Sequence, residues 1–324
     1  MRTKALSKLW SVFSLLVVMA MLVVACGGGG AAAPTAKPKI TIKLAENPWT
    51  GSSVNVNVAK ILLEKELGYT VEIVQIDENA QFPALAKGDL SATLEIWPSG
   101  HGKDYEDYIK TGKVEDIGKL GVIGKIGWFI PTYMLKDHPE LAMWEGFKSA
   151  DNATLFKTAE TGDAGQFIGG DPSFVQYDEA LIKNLGLNFK VTFAGSEQAE
   201  LAALDAAYSR QAPFLFYFWT PHSAHAKYAL TNVQLPAYSD ACAAKPAEQR
   251  DCDYPEDILY KAAWAGLKDA ALDAYTLLKN MSYTTKDQIG MLAMVDAQGK
   301  TPAEAAQAWI DANKDTWSKW LPTK

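Results

Sequence analysis

The chain has 324 residues, and its 31 Lys and Arg against 38 Asp and Glu give a formal net charge of −7. This acidic balance argues against nucleic acid and anionic lipid surfaces as partners. From about residue 40 onward the chain is long enough for two domains of ordinary size, and no run there is long and apolar enough to span a bilayer.

The N-terminal segment has the pattern of a bacterial secretion signal. Its basic residues come first: Arg2, Lys4 and Lys8. An apolar run over residues 10–25 follows, and the sequence Val-Val-Ala-Cys that ends at Cys26 resembles a lipobox. Because this run is short for a spanning helix and a small residue precedes Cys26, cleavage is favoured over a transmembrane anchor. We therefore predict a signal peptide over residues 1–25 and a mature protein anchored by acyl chains at Cys26 on the extracytoplasmic face of the cell membrane.

A flexible tether over residues 26–39, rich in Gly, Ala and Pro, precedes the folded part. The predicted elements that follow are strand 39–44, helix 54–67, strand 69–76, helix 79–87 and strand 90–97. Ser52 or Ser53 is placed to cap the first helix. Gly68 and Gly88 follow the two helices, as C-capping glycines do. This β-α-β-α-β order implies a parallel sheet with helices on its faces.

A second α/β unit occupies the later part of the chain. The predicted elements are helix 101–112, extended segment 121–133, a helix-like stretch after Trp144, a helix from Asp171 to Leu185, strand 190–194, helix 199–208, strand 214–219, extended segment 257–263 and a mostly helical region 266–321. Extended crossings near residues 127–133 and 258–263 join the two units, which predicts a hinged two-lobe protein. Lobe 1 is then formed by residues 40–130 and 260–324, and lobe 2 by residues 131–259.

Two cysteines remain besides Cys26. Cys242 and Cys252 lie close together in the sequence, and outside the cytoplasm such a pair most simply forms a disulfide that closes a small loop. Two free thiols in a mobile loop are the alternative. A two-cysteine metal site lacks its other ligands.

Motifs for catalysis are absent from the sequence. It has no GxSxG elbow, no glycine-rich phosphate loop and no HExxH. His222 and His225 are three residues apart, but without a nearby third ligand they make a weak metal site. We therefore predict a protein that is not an enzyme and that holds no metal and no cofactor.

Four tryptophans share an unusual placement beside Pro or Gly near the ends of loops or strands. They are Trp49, Trp97, Trp128 and Trp219. Ligands bind at the carboxyl ends of strands in open α/β sheets, and a tryptophan there can face a cleft. Core packing explains any one of them equally well, but the shared placement favours a site. The other tryptophans of the folded part are predicted to be structural: Trp144, Trp264, Trp309, Trp317 and Trp320.

Several indole faces around one cavity suit a quaternary ammonium group. Such a group has no N–H to donate, so a protein holds it by cation–π attraction, worth about 0.5–2 kcal/mol for each ring. A carbohydrate would also use aromatic platforms, but it would need planar polar side chains near them, and few stand beside these four tryptophans.

A turn over residues 169–173 adds a possible anion site. Asp171 suits a helix N-cap and Pro172 a first helical residue. Free backbone amides at such a terminus favour an anion such as a ligand carboxylate. An ordinary helix start without a ligand fits the sequence as well.

Taken together, several short motifs resemble one family across the mature chain. They are Asn47-Pro-Trp-Thr-Gly-Ser, Glu66-Leu-Gly-Tyr-Thr-Val, Ala84-Leu-Ala-Lys-Gly-Asp-Leu, Ile96-Trp-Pro, Gly127-Trp-Phe-Ile-Pro and Phe218-Trp-Thr-Pro-His. They resemble the substrate-binding proteins of glycine betaine/choline-type ABC importers (the ProX/OpuAC-like family). The resemblance implies a two-lobed α/β periplasmic-binding-protein fold of type II that closes on a trimethylammonium head. It also implies that the head lies in a box of aromatic rings, and the same four tryptophans fall on the matching positions.

The family's polar contacts match less completely. In choline-type relatives an acidic residue follows the first tryptophan by two positions, where this chain has Gly51, so the resemblance favours choline less. In betaine-type relatives, amides and polar groups of the second lobe meet the ligand carboxylate. Gly170, Asp171 and Ser173 fall near that place, followed by Phe174 where relatives have an aromatic residue. His222 is also placed to reach the polar end of the ligand, although a strand-end position in solvent suits it equally.

The resemblance therefore implies a monomeric, lipid-anchored binding protein that delivers glycine betaine, as the first expectation, to an ABC permease and its ATPase. Choline, carnitine or another methylated amine is the alternative within the binding class. An extracytoplasmic enzyme acting on such amines is the alternative from a different class.

Overall fold

The computed structural model describes residues 39–174 and 176–323. The predicted signal peptide, the predicted lipidation site Cys26 and all of the tether except Lys39 lie outside these residues. None of the helices in the described part has the length and apolar character needed to cross a membrane.

The predicted β-α-β-α-β order of the first unit is confirmed. Its elements are β1 (Ile42–Glu46), α1 (Thr50–Lys65), β2 (Val71–Gln75), α2 (Glu78–Lys87), β3 (Ala92–Ile96) and α3 (Pro98–Lys110). β1 pairs in parallel with both β2 and β3; these three strands are called the first parallel group. Gly88 ends α2 with a φ of 78°, a left-handed conformation that favours glycine.

The start of α1 differs from the prediction. The helix begins at Thr50, so its N-cap is Trp49 and not Ser52 or Ser53. Both serines lie inside the first turn, and the Ser52 hydroxyl accepts a hydrogen bond from the backbone N–H of Asn47 at 2.9 Å. It thereby fixes the loop before the helix instead of capping it.

The later part of the chain supplies a second parallel group and the C-terminal helices. The elements are β4 (Val114–Pro131), α4 (Ala150–Leu155), β5 (Gly165–Gly169), α5 (Asp178–Asn184), β6 (Phe189–Phe193), α6 (Glu197–Ser209), β7 (Phe216–Thr220), α7 (Ala224–Lys227), β8 (Leu230–Asn232), α8 (Asp240–Ala243), β9 (Glu256–Trp264), α9 (Leu267–Ala270), α10 (Leu272–Asn280), α11 (Thr285–Asp296), α12 (Pro302–Ala312) and α13 (Lys314–Trp317). Short 3-10 helices cover Thr132–Lys136, Pro139–Ala142, Trp144–Lys148, Ala247–Gln249 and Ser318–Trp320. β5 pairs in parallel with β6 and β7, which form the second parallel group.

Two antiparallel strands connect the parallel groups. The strand order is β2-β1-β3-β9-β4-β7-β5-β6, with β8 on β4. β4 pairs with β9 from Val114 to Lys125, and from Lys125 onward it pairs with β7. A single continuous strand, β4, therefore pairs first with β9 and then with β7, and its partner changes at Lys125. The predicted lobe boundaries remain a prediction.

The helix predicted from Asp171 does not form there. The Asp171 carboxylate accepts the Ser173 N–H at 2.8 Å, and the Asp171 carbonyl accepts the Phe174 N–H at 3.0 Å, which closes a turn. The helix begins only at Asp178. An aspartate two residues before an amide can form this local turn in place of a helix cap, and here the turn is favoured.

The tryptophans near the C-terminus are part of the packed core. Trp309, Trp317 and Trp320 are buried, and the rings of Trp309 and Trp320 stack at 5.6 Å. α11 and α12 pack against α1, so the last helices cover the first parallel group. In the loop before β9, Cys242 and Cys252 form a disulfide.

Candidate ligand-binding site

A cleft with about 370 Å³ of empty space, including space open to solvent, lies between the two parallel groups. Its walls are lined by Trp49, Glu78, Trp97, Gly100, Ile126, Phe174, Tyr217 and Trp219. Five of these are aromatic, and three of the four predicted cage tryptophans are among them. The structure thus brings rings from distant parts of the chain to one place.

Strand ends explain why these residues meet. Trp97 directly follows β3, Trp49 follows β1 by three residues, and Glu78 follows β2 by three residues. Carboxyl ends of parallel strands lie at the same edge of a sheet, so residues just beyond them are neighbours. Trp49 and Trp97 are also the N-cap residues of α1 and α3, so each ring is held at the start of a helix.

A buried carboxylate fixes the two indoles of the first parallel group. Glu95 Oε1 accepts the Trp49 Nε1–H at 2.7 Å and the Trp97 Nε1–H at 3.0 Å. Its other oxygen accepts hydrogen bonds from Asn55 Nδ2 and from Gln288 Nε2, the latter at 3.0 Å. Because an indole has one N–H in the plane of its ring, each bond constrains the direction of a ring face. Burial raises the pKa of Glu95 to about 7, although the hydrogen bonds from both indoles and from Gln288 oppose that rise.

Glycines make room for this arrangement. A Cβ at Gly51 would lie 3.2 Å from both carboxylate oxygens of Glu95. The position where choline-type relatives carry an acid is therefore already next to a carboxylate. A Cβ at Gly124 would lie 2.3 Å and 2.4 Å from ring carbons of Trp97, so only glycine lets β4 pass behind this indole.

The opposite wall consists of rings packed on rings. Tyr217 and Trp219 are two residues apart along β7, so their side chains face the same side of the sheet. Ile126 of β4 pairs with Trp219. The Phe174 ring meets Trp49 at 5.7 Å and Trp219 at 5.8 Å, both edge to face. Phe174 therefore links the two walls of the cavity.

Trp128 lies outside the cavity. It is fully buried, its ring lies 4.8 Å from Phe167, and its Nε1–H donates to Asp178 Oδ1 at 2.6 Å. In the sheet Trp128 pairs with Tyr217, two residues along β4 from the pair of Ile126 and Trp219. Ile126 thus lines the cavity where the sequence predicted the Trp128 indole. Burial raises the pKa of Asp178, the partner of Trp128, to about 7.

Gly170, Asp171 and Ser173, which were predicted to contact the polar end of the ligand, do not line the cavity either. Gly170 supports Phe174, since a Cβ there would lie 2.9 Å from that ring. The Asp171 carboxylate is engaged with the amide of Ser173 in the turn described above. None of these three is among the lining residues of the described cavity.

His222 has structural partners as well. Its Nδ1 accepts the Ala224 N–H at 3.0 Å, so Nε2 carries the proton and donates to Glu197 Oε1 at 2.7 Å. The ring lies 5.2 Å from Trp219, edge to face. His222 therefore supports the indole from behind, while His225 Nε2 bonds to the Trp219 carbonyl at 2.9 Å.

Sequence reasoning missed several lining residues. Tyr217 and Ile126 could have been found from strand alternation, because each is two residues from a predicted tryptophan in the same strand. Glu78 also follows a strand end, which is the signal that identified Trp49 and Trp97. No local sequence pattern identified Glu95 as a residue that orients the site, because its hydrogen-bond partners lie as far along the chain as Gln288.

The chain matches a known family over most of its length. The model of the substrate-binding domain of ABC-type glycine betaine transport systems, OpuAC, matches residues 40–312. The chain belongs to the OpuAC family. The resemblance inferred from the tryptophan motifs is therefore confirmed, and the protein is a substrate-binding component of an ABC-type transport system.

Individual OpuAC relatives match over most of their length. The trimethylamine N-oxide-binding protein of Pelagibacter ubique (strain HTCC1062) is 27% identical over 293 residues, covering 87% of this chain and 91% of the relative. The lactococcal OpuAC crystallised closed with glycine betaine has a TM-score of 0.68 at 22% identity, covering 87% and 99% of the two chains. An ABC-transporter choline-binding protein with choline has a TM-score of 0.71 at 19% identity, covering 88% and 93%. These structures confirm the predicted two-lobed periplasmic-binding-protein fold.

Proposed function

We propose that this protein captures a small amine whose nitrogen is fully methylated and delivers it to a membrane permease driven by an ATPase. The observation that carries the proposal is the cavity with Trp49, Trp97 and Trp219 in its walls and Glu95 bonded to the indole N–H of two of them. A methylated ammonium cannot donate hydrogen bonds, so ring faces and methyl contacts are what can hold it. Each cation–π contact contributes about 0.5–2 kcal/mol, so three rings supply useful affinity.

Several ligands share this head group. Glycine betaine is the expectation from the sequence, and it is named for the family and for the liganded lactococcal relative. Trimethylamine N-oxide is supported by the relative that matches over most of both chains. Choline and carnitine carry the same trimethylammonium group, so the head group rather than one named compound defines the proposed class.

The cellular setting belongs to the same proposal. Removal of residues 1–25 and lipidation at Cys26 on the extracytoplasmic face are inferred from the N-terminal sequence pattern, and a monomeric protein is inferred from the family resemblance. Labelling of cells with radioactive palmitate should mark the wild-type protein and not Cys26→Ser. A labelled C26S protein would contradict anchoring at this residue.

Calorimetry on the full-length protein in mild detergent tests the cage. Tetramethylammonium, which is a head group alone, should bind, and Trp219→Ala should weaken it at least tenfold because a ring face and its methyl contacts are lost. Trp144→Ala is the matched control, since Trp144 lies outside the cavity beside Lys148 and its loss should leave the affinity unchanged. Absence of binding by tetramethylammonium, glycine betaine, choline and trimethylamine N-oxide alike, or wild-type affinity in W219A, would overturn the proposal.

A further inference from the structure

We propose that Glu197 is a positioning residue: it joins the two parallel groups across the cleft and so slows the release of a bound ligand. The inference rests on the proposed function, because the ligand that is retained is the methylated amine of that proposal. None of the sequence motifs described above contains Glu197.

Glu197 connects helices that belong to different parallel groups. It begins α6, which joins β6 to β7, and its side chain is buried. Its Oε2 accepts two hydrogen bonds from Thr50, one from the backbone N–H at 2.8 Å and one from the hydroxyl at 3.0 Å. Thr50 begins α1, which joins β1 to β2. The Thr50–Glu197 contact therefore links the first parallel group to the second.

The other oxygen of Glu197 connects this contact to the cage. Glu197 Oε1 accepts the His222 Nε2–H at 2.7 Å, and the His222 ring supports Trp219 edge to face. Thr50, for its part, directly follows Trp49. One carboxylate thus holds the backbone beside one cage indole and the ring that supports another. A movement of α6 away from α1 would therefore also separate Trp49 from Trp219.

A second polar contact crosses the cleft next to the first. Ser223, which directly follows His222, donates its hydroxyl hydrogen to Asp296 Oδ2. Asp296 ends α11, and α11 packs against α1. Because Ser223 and His222 are neighbours in the chain, the two contacts oppose the same opening movement.

Opening of the cleft would break the Thr50–Glu197 contact. Proteins with this two-lobed plan close around a ligand and release it by a hinge movement. The bond between Glu197 and His222 stays within the part of the chain that contains β6 and β7, whereas Thr50 would move away with α1. Hydrogen bonds to a charged acceptor are stronger than those between neutral groups, and exclusion of water strengthens them further. The Thr50–Glu197 contact therefore favours the closed form, and a ligand inside that form is released more slowly.

Both oxygens of Glu197 must be acceptors. Thr50 presents two donors to one oxygen, and His222 presents Nε2–H to the other because its Nδ1 already accepts the Ala224 N–H. A glutamine has one acceptor oxygen and an NH2 group that only donates. In Glu197→Gln the NH2 group would face a donor on one side, and that side would lose its bond. Because the two side chains have nearly the same volume, this variant tests the contact rather than the packing.

Stopped-flow tryptophan fluorescence of the full-length protein in mild detergent measures capture and release of tetramethylammonium. Release should be about tenfold or more faster in E197Q than in wild type, as expected when a hydrogen bond to a charged group is lost. The association rate constant should not fall, because capture precedes closure of the cleft. Calorimetry should then show Kd rising with the release rate. A general loss of structure would lower the association rate constant as well.

Further variants separate the contact from other effects on α6. Thr50→Val removes the hydroxyl donor alone and leaves the Glu197–His222 bond intact, so release should be about two- to fivefold faster even if E197Q folds poorly. Thr50→Ser keeps both donors and should behave as wild type does. Glu200→Gln is the matched control, since Glu200 is another buried glutamate of α6, but neither of its carboxyl oxygens has a hydrogen-bond partner among the described residues. Its release rate should equal that of wild type.

The inference and the proposed function fail in different ways. Release from E197Q at the wild-type rate would overturn the inference and leave the proposed function intact. Equally fast release from E200Q and E197Q would also overturn it, because the cause would then be general damage to α6. If E197Q does not fold, release from T50V at the wild-type rate would overturn it. Failure of tetramethylammonium, glycine betaine, choline and trimethylamine N-oxide to bind the wild type would instead refute the proposed function, and this inference with it.

Discussion

The two walls of the cavity are built from different interactions. In one wall, called the carboxylate wall, Trp49 and Trp97 each donate an indole N–H to Glu95. In the other, called the ring wall, Phe174 and Trp219 hold each other by an edge-to-face contact at 5.8 Å. Both walls present aromatic faces, but different forces orient those faces.

The difference shows how an aromatic site divides its tasks. A hydrogen bond to a buried carboxylate sets the direction of a ring and places negative charge at its edge, so the carboxylate wall controls electrostatics. Ring packing sets shape and adapts to small displacements, so the ring wall controls fit. Perturbing each wall separately should therefore give different signatures.

The largest effect is expected from the carboxylate wall. Glu95→Gln should weaken tetramethylammonium binding on the order of 30-fold, or about 2 kcal/mol, because the charge that attracts the cation is lost and the hydrogen bonds that hold both indoles are weakened. The pKa of Glu95 is raised to about 7, so the group is protonated below that pH and ionised above it. Since a cation favours the ionised form, wild-type affinity should rise from pH 6 to pH 8, whereas E95Q should lose that rise. Calorimetry across this pH range measures both.

Asp178→Asn is the matched control for that experiment. Asp178 is also buried with a pKa raised to about 7, but it contacts Trp128 outside the cavity. This variant should keep the wild-type increase in affinity with pH. Loss of the increase in D178N, or its persistence in E95Q, would show that Glu95 is not its source.

A smaller effect is expected from displacing one ring. In Gly124→Ala the new Cβ would lie 2.3 Å from the Trp97 ring, so the indole must move away from its hydrogen-bonded position. Affinity for tetramethylammonium should fall about tenfold, near the loss expected for one cation–π contact. Gly290→Ala, where an added Cβ meets nothing within 4 Å, should bind as wild type does. Unchanged affinity in G124A would mean that the ring wall alone positions the ligand.

The smallest effect on binding is expected at Trp128. Trp128→Phe keeps a ring but removes the N–H that Asp178 accepts, so the free energy of unfolding should fall by about 1–3 kcal/mol. Affinity should stay within about threefold of wild type. Denaturant unfolding and calorimetry together check this, and an affinity loss as large as that of W219A would return Trp128 to the cage.

The sequence predicted that Trp49 and Trp97 would lie together, but it did not predict the Glu95 carboxylate that orients them. Trp49 and Trp97 follow strand ends, and strand ends meet at one edge of a parallel sheet, so local pattern was enough to bring them together. Trp128 lies inside a run that was itself predicted to be extended. Its glycine neighbour therefore did not mark an end, and the residue is buried in β4.

What escaped prediction depends on contacts between distant segments. Glu95 accepts hydrogen bonds from Asn55 and Gln288, and contacts between residues so far apart in the sequence cannot be predicted from local periodicity. The helix expected at Asp171 did not form for a local reason, because a turn over residues 171–174 was more favourable than the helix cap. Thus alternation and strand ends predicted the architecture, whereas the hydrogen bonds that orient the site required the structure.

The two indoles at helix starts also show a trade-off between stability and activity. Trp49 and Trp97 occupy N-cap positions, yet neither side chain caps its helix. Asn, Asp or Ser at an N-cap would typically contribute about 1 kcal/mol of stability. The protein instead satisfies these helix ends from far along the chain, through Glu197 and Asp257. A stabilising substitution chosen by helix rules alone would replace two of the residues that line the cavity.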